Sequence, residues 1–255
     1  MKTEYFNETG LGKIIIKLNS HADCFVFERP LSFSWCDDEG SVARYFSVMP
    51  FSSEYRNLIV KTIQEITNSS ITDLNQILKV LSPLLNMLET GKYEISFEEF
   101  KPADDGTIYW HLVNTQSLIE NYYDLGDNIG ALASTQPFTV INEERIKYYE
   151  AKILKGEKPF AICLSKEINC YGIYPDGSKW QAKYNSPAYV LDGHHKLIAY
   201  KNVNIIPSIL LIRKTEPDNS GFNFSKADLI AYKDVIDDFT FSDLLKKFNS
   251  RDTIK

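Results

Sequence analysis

The chain has 255 residues, enough for one large domain or two small ones with an ample core. Hydrophobic residues make up 44% and charged residues 24%, the balance of an ordinary globular protein rather than a disordered or fibrous one. A formal net charge of −6 tells against a nucleic-acid binder working through overall charge, though a local basic patch stays open, and no window reaches the ~18 apolar residues of a membrane span.

The opening stretch, Met1 to Glu8, is mixed and acidic and lacks the plan of a secretory signal, so a cytoplasmic protein is expected. Cys24, Cys36, Cys163 and Cys170 form no Cys-x-x-Cys pair and match no zinc spacing; reduced thiols are expected, with Cys163 a small buried apolar residue. Lys13 to Leu18 and Cys24 to Phe27 read as strands. Phe33, Trp35 and Tyr45 to Val48 suggest more, around the acidic turn Asp37-Asp38-Glu39-Gly40. A small antiparallel sheet is the simplest account, with the acidic turn a solvated hairpin tip in preference to a cation site.

Two helices follow. Ser52 or Ser53 caps the first, whose stripe is Tyr55, Leu58, Ile59, Thr62, Ile63 and Ile66. Ser70 to Asp73 resembles a capping box for the second, with Leu74, Ile77, Leu78, Leu81, Leu85 and Leu88 as its stripe. Pro83 is expected to kink or split it. Tyr93 to Phe97 and Thr107 to Val113 read as strands joined across the turn at Lys101 to Gly106, and His111 as an edge or satisfied buried histidine. Residues 114 to 137 are polar and rich in turn formers, which places a domain boundary there: an N-terminal α+β domain over 1–133 and a second domain over 134–255.

In the second half Ile146 to Leu154 reads as a helix, Gly156 to Pro159 as a turn and Phe160 to Leu164 as a strand. Pro175-Asp176-Gly177 is a strong turn between two aromatic strands, which form either an ordinary amphipathic hairpin or, with Lys179 and Trp180, a wall of a pocket. Tyr189 to Leu191 is a short buried-type strand, and Leu197, Ile198 and Tyr200 begin a helical stripe. Ile206 to Ile212 closes as a strand, and two short helices end the chain, one through Leu229, Ile230 and Tyr232 and one through Phe241, Leu244, Leu245 and Phe248.

Between the Tyr189 strand and the next helix stands Asp192-Gly193-His194-His195-Lys196. A strand that turns at a glycine into a helix aims free backbone N–H groups and the positive end of the helix dipole at one spot, a ready anion site. Two imidazoles and an ammonium beside it favour phosphate over carboxylate.

This run resembles the Asp-Gly-His-His-Arg signature of the ParB/sulfiredoxin-like superfamily, most closely its free-serine kinase branch. The order of flanking elements over about 138–214 is also similar. The resemblance implies a ParB/sulfiredoxin-like α/β domain with a β-hairpin insertion; with the N-terminal α+β domain and the C-terminal helices read above, the chain is expected to be α+β. The resemblance also implies phosphoryl transfer from ATP or ADP to a small hydroxyl compound, with Mg²⁺. Glu143 takes the place of the branch's base, Asp192 binds Mg²⁺ or the hydroxyl, and Gly193, His194, His195 and Lys196 hold phosphate, His195 also acting in catalysis. Three departures are visible. Lys196 stands where the signature has arginine, losing a bidentate fork. His194 stands at the sulfiredoxin branch's nucleophilic cysteine, which excludes that thiol chemistry. The Gly-Glu-Arg-Arg run of the chromosome-partitioning branch is missing. Two other readings stay open: a non-catalytic module that binds a nucleotide or phosphorylated small molecule and engages a protein partner through its N-terminal domain, for which the Leu74 to Leu88 stripe is suited, and a nuclease or nucleic-acid-binding variant, which the net charge disfavours.

Overall fold

A computed structural model describes residues 3–18, 22–35, 45–49, 55–68, 71–99, 101–102, 123–124, 132–136, 140–173, 176–216, 224–236 and 238–251. The acidic turn at 37–40, the caps at Ser52 or Ser53, Ser70, and His111 with its strand at 107–113 lie outside them. The class is α+β, as expected. In chain order the elements are β1 (Thr3–Glu8), β2 (Ile14–Leu18), β3 (Ala22–Phe27), β4 (Arg29–Trp35), β5 (Tyr45–Val48), α1 (Arg56–Asn68), α2 (Leu74–Leu85), β6 (Gly91–Glu99), β7 (Lys101–Pro102), β8 (Tyr123–Asp124), β9 (Leu132–Ala133), α3 (Glu143–Leu154), β10 (Ala161–Ile173), β11 (Lys179–Asn185), β12 (Ala188–Asp192), α4 (His194–Asn202), β13 (Ser208–Lys214), α5 (Lys226–Ile230) and α6 (Asp238–Arg251). No helix among the described residues is long and apolar enough to cross a membrane.

The main sheet is mixed, in the order β1-β6-β13-β10-β12-β9, with β11 paired to the outer part of β10. β10 runs parallel to β13, and β12 to β9; the other pairs are antiparallel. Its central strands alternate with a period of two and are apolar on both faces, the mark of a covered sheet. Ile162, Leu164, Tyr189, Leu210 and Ile212 face one core; Ala161, Cys163, Ala188, Val190, Ile209 and Leu211 face another, where Leu197 of α4 packs. α3 lies over α4 through Ile146, Ile153, Ala199 and Tyr200.

A second, four-stranded sheet, β2-β3-β4-β5, is an antiparallel meander. Phe25 and Phe27 join the first core, while Cys24, Val26 and Phe33 turn the other way onto Phe224, Leu229, Tyr232 and Leu244 of the C-terminal segment. Lys17 holds that segment at Asp228 (2.9 Å), which also closes a capping box with Ser225. α1 and α2 complete the first core. Asp73 caps α2 by accepting from Gln76 N at 3.0 Å. Its stripe, Leu74, Ile77, Leu81, Leu84 and Leu85, is at most 3% exposed, so these residues serve the interior and offer no surface to a partner. Pro83 does not divide the helix. It falls in the last turn, where only Leu84 and Leu85 follow it.

The sheet crosses the boundary expected at 133/134. β1 and β6 come from before it, yet β6 pairs along its length with β13. The first core likewise takes Ile95 from one side and Leu210 from the other, so both halves of the chain share one hydrophobic interior.

That interior holds a small charged cluster. Lys166 is 1% exposed; its Nζ lies 3.3 Å from Glu89 Oε1 and 3.4 Å from the Ile16 carbonyl, while Lys214 Nζ lies 3.0 Å from Glu89 Oε2. Lys166 and Lys214 are register partners on β10 and β13, so one carboxylate serves two neighbouring ammoniums. Removing one partner of a buried pair strands a desolvated charge. Glu89→Ala is expected to lower the free energy of urea unfolding by about 3 kcal/mol, and Lys166→Met added to it to recover a large part of the loss. A cost below about 0.5 kcal/mol for Glu89→Ala would mark the cluster as no stronger than an exposed ion pair.

Candidate anion-binding site

A cavity of about 240 Å³ opens where the two sheets meet beside α4. One wall comes from the N-terminal half: Ile14, Phe25, Phe27 and Leu31 from the small sheet, Ile59, Val60, Ile63 and Gln64 from α1, and Leu84 from α2. The opposite wall is polar. It consists of Thr135 and Gln136, Arg145 and Tyr149 from α3, and Leu191 to Lys196 at the passage from β12 to α4.

Gly193 makes that passage possible. Its φ is +108°, and a Cβ there would stand 2.6 Å from the Ala161 Cβ and 2.7 Å from the Ala161 Cα, so neither the backbone angle nor the space admits a side chain. As N-cap it supplies no side-chain bond to α4. Asp192 does not cap the helix either. Its Oδ2 accepts from Lys196 Nζ at 2.6 Å, and the same ammonium donates to the Phe160 carbonyl at 3.0 Å. Lys196, 3% exposed, therefore braces the start of β10 against the end of β12, a job that competes with the phosphate-holding role expected of it.

His194 and His195 are both engaged at Nε2. The Thr135 N–H donates to His194 at 3.1 Å and the Asn142 N–H donates to His195 at 3.0 Å. A ring nitrogen that accepts carries no proton, so each neutral imidazole holds its proton on Nδ1 and is a donor there. Burial pushes the pKa of His194, 1% exposed, down to about 3; His195 lowers it further while Asp192 opposes. Burial also lowers that of half-buried His195, followed by the positive charge of Arg145, with Asp192 again opposing. The pair expected as phosphate ligands is thus a pair of neutral N–H donors. His194 Nδ1 has no partner among the described residues, nor does the Arg145 guanidinium have an ion-pair partner among them.

The other expected residues fall elsewhere. Glu143 is the exposed first residue of α3 and does not line the cavity. The lining residue Arg145 follows two positions later, about 200° round the helix. Lys179 is exposed at the far end of the hairpin, opposite Ile173, whereas Asp192 is opposite Ile162. Eleven residues of extended β10 separate the two levels, on the order of 30 Å, so the hairpin carries Lys179, and Trp180 next to it on β11, away from the site instead of walling it. Mg²⁺ fits poorly. Asp192 is the one carboxylate among the described lining residues, it is already bonded to an ammonium, and among the described residues no group of three His, Cys, Asp or Glu side chains could hold an ion. The expectation overlooked Arg145, Tyr149, Thr135 and the apolar wall. Arg145 and Tyr149 carried a signal, being four apart on one helix face; Thr135 lay in a stretch read as linker.

No family model, curated protein or solved structure matches the chain, so its likeness to the ParB/sulfiredoxin-like superfamily rests on the residues of the motif and the order of its flanking elements.

The depressed pKa of His194 makes stability depend on pH with a definite sign. The unfolded chain takes up this proton near 6.5 and the folded chain only near 3, so the contribution is complete above 6.5 and falls as pH drops through that window. Between pH 7 and pH 5 the unfolding free energy is expected to drop by about 2 kcal/mol, at about 1.4 kcal/mol per pH unit below 6.5. His194→Gln keeps an acceptor for the Thr135 N–H and should remove most of that slope. Urea titrations of both proteins at pH 5, 6 and 7 check this, and equal slopes would contradict the burial of a neutral His194.

Proposed function

We propose that this protein binds a small phosphorylated molecule, with the phosphate at the N-terminus of α4. The observation that carries the proposal is His194: an imidazole 1% exposed, fixed by the Thr135 N–H in the tautomer that donates from Nδ1, unpartnered at that atom among the described residues and lining a cavity. A buried donor without an acceptor is costly, and an anion oxygen would satisfy it. The second imidazole, the first amides of α4 and the Arg145 guanidinium add donors around the same place. With Arg145 and Lys196 set against Asp192 alone, the formal charge of the lining residues is positive although the chain is acidic overall.

Binding is favoured over phosphoryl transfer. Transfer from ATP or ADP needs a group to take the hydroxyl proton and charge to neutralise the phosphates. Glu143 does not line the cavity, each imidazole offers a donor instead of a base, and Asp192 is held by Lys196. Inorganic phosphate titrated into ¹⁵N-labelled protein is expected to shift the amide signals of His194, His195 and Lys196 most, and Arg145→Glu to weaken binding about tenfold or more. Absence of those shifts at millimolar phosphate would overturn the proposal. Turnover of ATP or ADP lost in Asp192→Asn would replace it with a transferase.

A further inference from the structure

The donors at α4 account for only one side of the cavity. Across from them Ile14, Phe25, Phe27, Leu31, Ile63 and Leu84, each at most 7% exposed, form the buried part of a wall whose one polar side chain among the described lining residues is the exposed Gln64. Free phosphate in the cradle would leave that wall against water. Resting on the anion reading above, we infer that the ligand is a phosphate monoester whose alcohol is a compact aromatic or branched aliphatic group, and not a nucleotide.

The volume agrees with that class. A dry cavity of ~150 Å³ holds a benzene, and a water occupies ~30 Å³ of liquid. The cavity of about 240 Å³ thus has room for one ring and a head group of roughly three waters' volume. Ribose, base and further phosphates would have to extend out of it into solvent, and sites for drug-sized ligands run from about 300 to 1,000 Å³. The chemistry agrees as well. A nucleobase is recognised through hydrogen bonds along its edge, and these six side chains make none. Two Nδ1–H donors, the amides opening α4 and a guanidinium fork together exceed what the two oxygens of a carboxylate can accept, and suit the three terminal oxygens of a monoester. The ester oxygen then directs the organic group away from α4, toward the small sheet.

Calorimetric titration with inorganic phosphate, phenyl phosphate, phenylacetate and AMP tests the inference. Phenyl phosphate is expected to bind at least about tenfold tighter than inorganic phosphate through burial of its ring, with phenylacetate and AMP both weaker than phenyl phosphate. Leu31→Trp, which fills the apolar end, should abolish that gain. Should this variant fail to fold, nuclear Overhauser contacts in wild type between the phenyl protons and the methyl groups of Leu31 and Ile63 decide the same point. Phosphate binding with no gain for phenyl phosphate overturns the apolar body and leaves the anion site standing. No binding of either removes the anion site and this inference with it. Phenylacetate as tight as phenyl phosphate overturns the phosphate head, and AMP tighter than phenyl phosphate overturns the exclusion of nucleotides.

Discussion

The ladder between β6 and β13 fixes where everything else lies. Tyr93 to Glu99 runs antiparallel to Lys214 to Ser208, and the register places Glu94 opposite Arg213, whose Nη1 meets its carboxylate at 2.7 Å. Beyond the ladder Thr215 N donates to the Lys92 carbonyl, and Lys214 reaches back to Glu89. More than a hundred residues separate these strands in sequence, so their pairing closes a long loop before any contact repays it. Once formed, it makes the first and last parts of the chain neighbours in one sheet. The small sheet is then carried over one face, and α3 and α4 cover the other. The cavity lies where the small sheet reaches the start of α4, one wall from each half of the chain, so it belongs to neither half alone.

That dependence explains what the sequence could and could not disclose. Alternation in Ile14 to Leu18 and Cys24 to Phe27, the Leu74 to Leu85 stripe and the glycine between Leu191 and His194 are local signals, and each marks an element that formed, the second helix without the break expected at Pro83. The α4 turn was legible because backbone sterics act within a few residues: Gly193 is needed by its own φ and by Ala161. Partnership is a different matter. Nothing in Tyr93 to Phe97 names Ser208 to Lys214 as its neighbour, since period-two alternation states which face is buried and not against which strand. A boundary drawn through the polar stretch near 133 therefore looked natural, and the sheet runs across it. The apolar wall of the site was invisible for the same reason. Phe25 and Leu31 are ordinary core residues with one side also open to a cavity.

The charged residues of the motif show a subtler limit. Lys196 lies four residues after Asp192, across the turn at Gly193, near enough in sequence for the two side chains to meet, so their bond was available from the sequence. What the spacing could not give is burial. In water an ammonium and two imidazoles beside a helix N-terminus suggest a cationic nest. With His194 and Lys196 almost wholly enclosed, a bare charge would cost more than its attraction to a ligand returns. The fold answers by pairing Lys196 with Asp192 and by keeping the imidazoles neutral.

Neutrality then becomes an asset for binding. Were His194 protonated, its charge would have to be desolvated in the empty cavity, and the penalty would weigh on the folded state whether or not a ligand came. A neutral ring with Nε2 bonded to a backbone amide presents an N–H that is already oriented, so binding needs no reorganisation of that donor. In the anion-binding reading proposed above, the full charge is instead that of Arg145, an exposed residue that lines the cavity. On that reading, donors inside and charge outside would divide the work of recognition: the enclosed groups would set the geometry of the head group, the guanidinium would supply the long-range attraction, and the apolar wall would select what the anion is attached to.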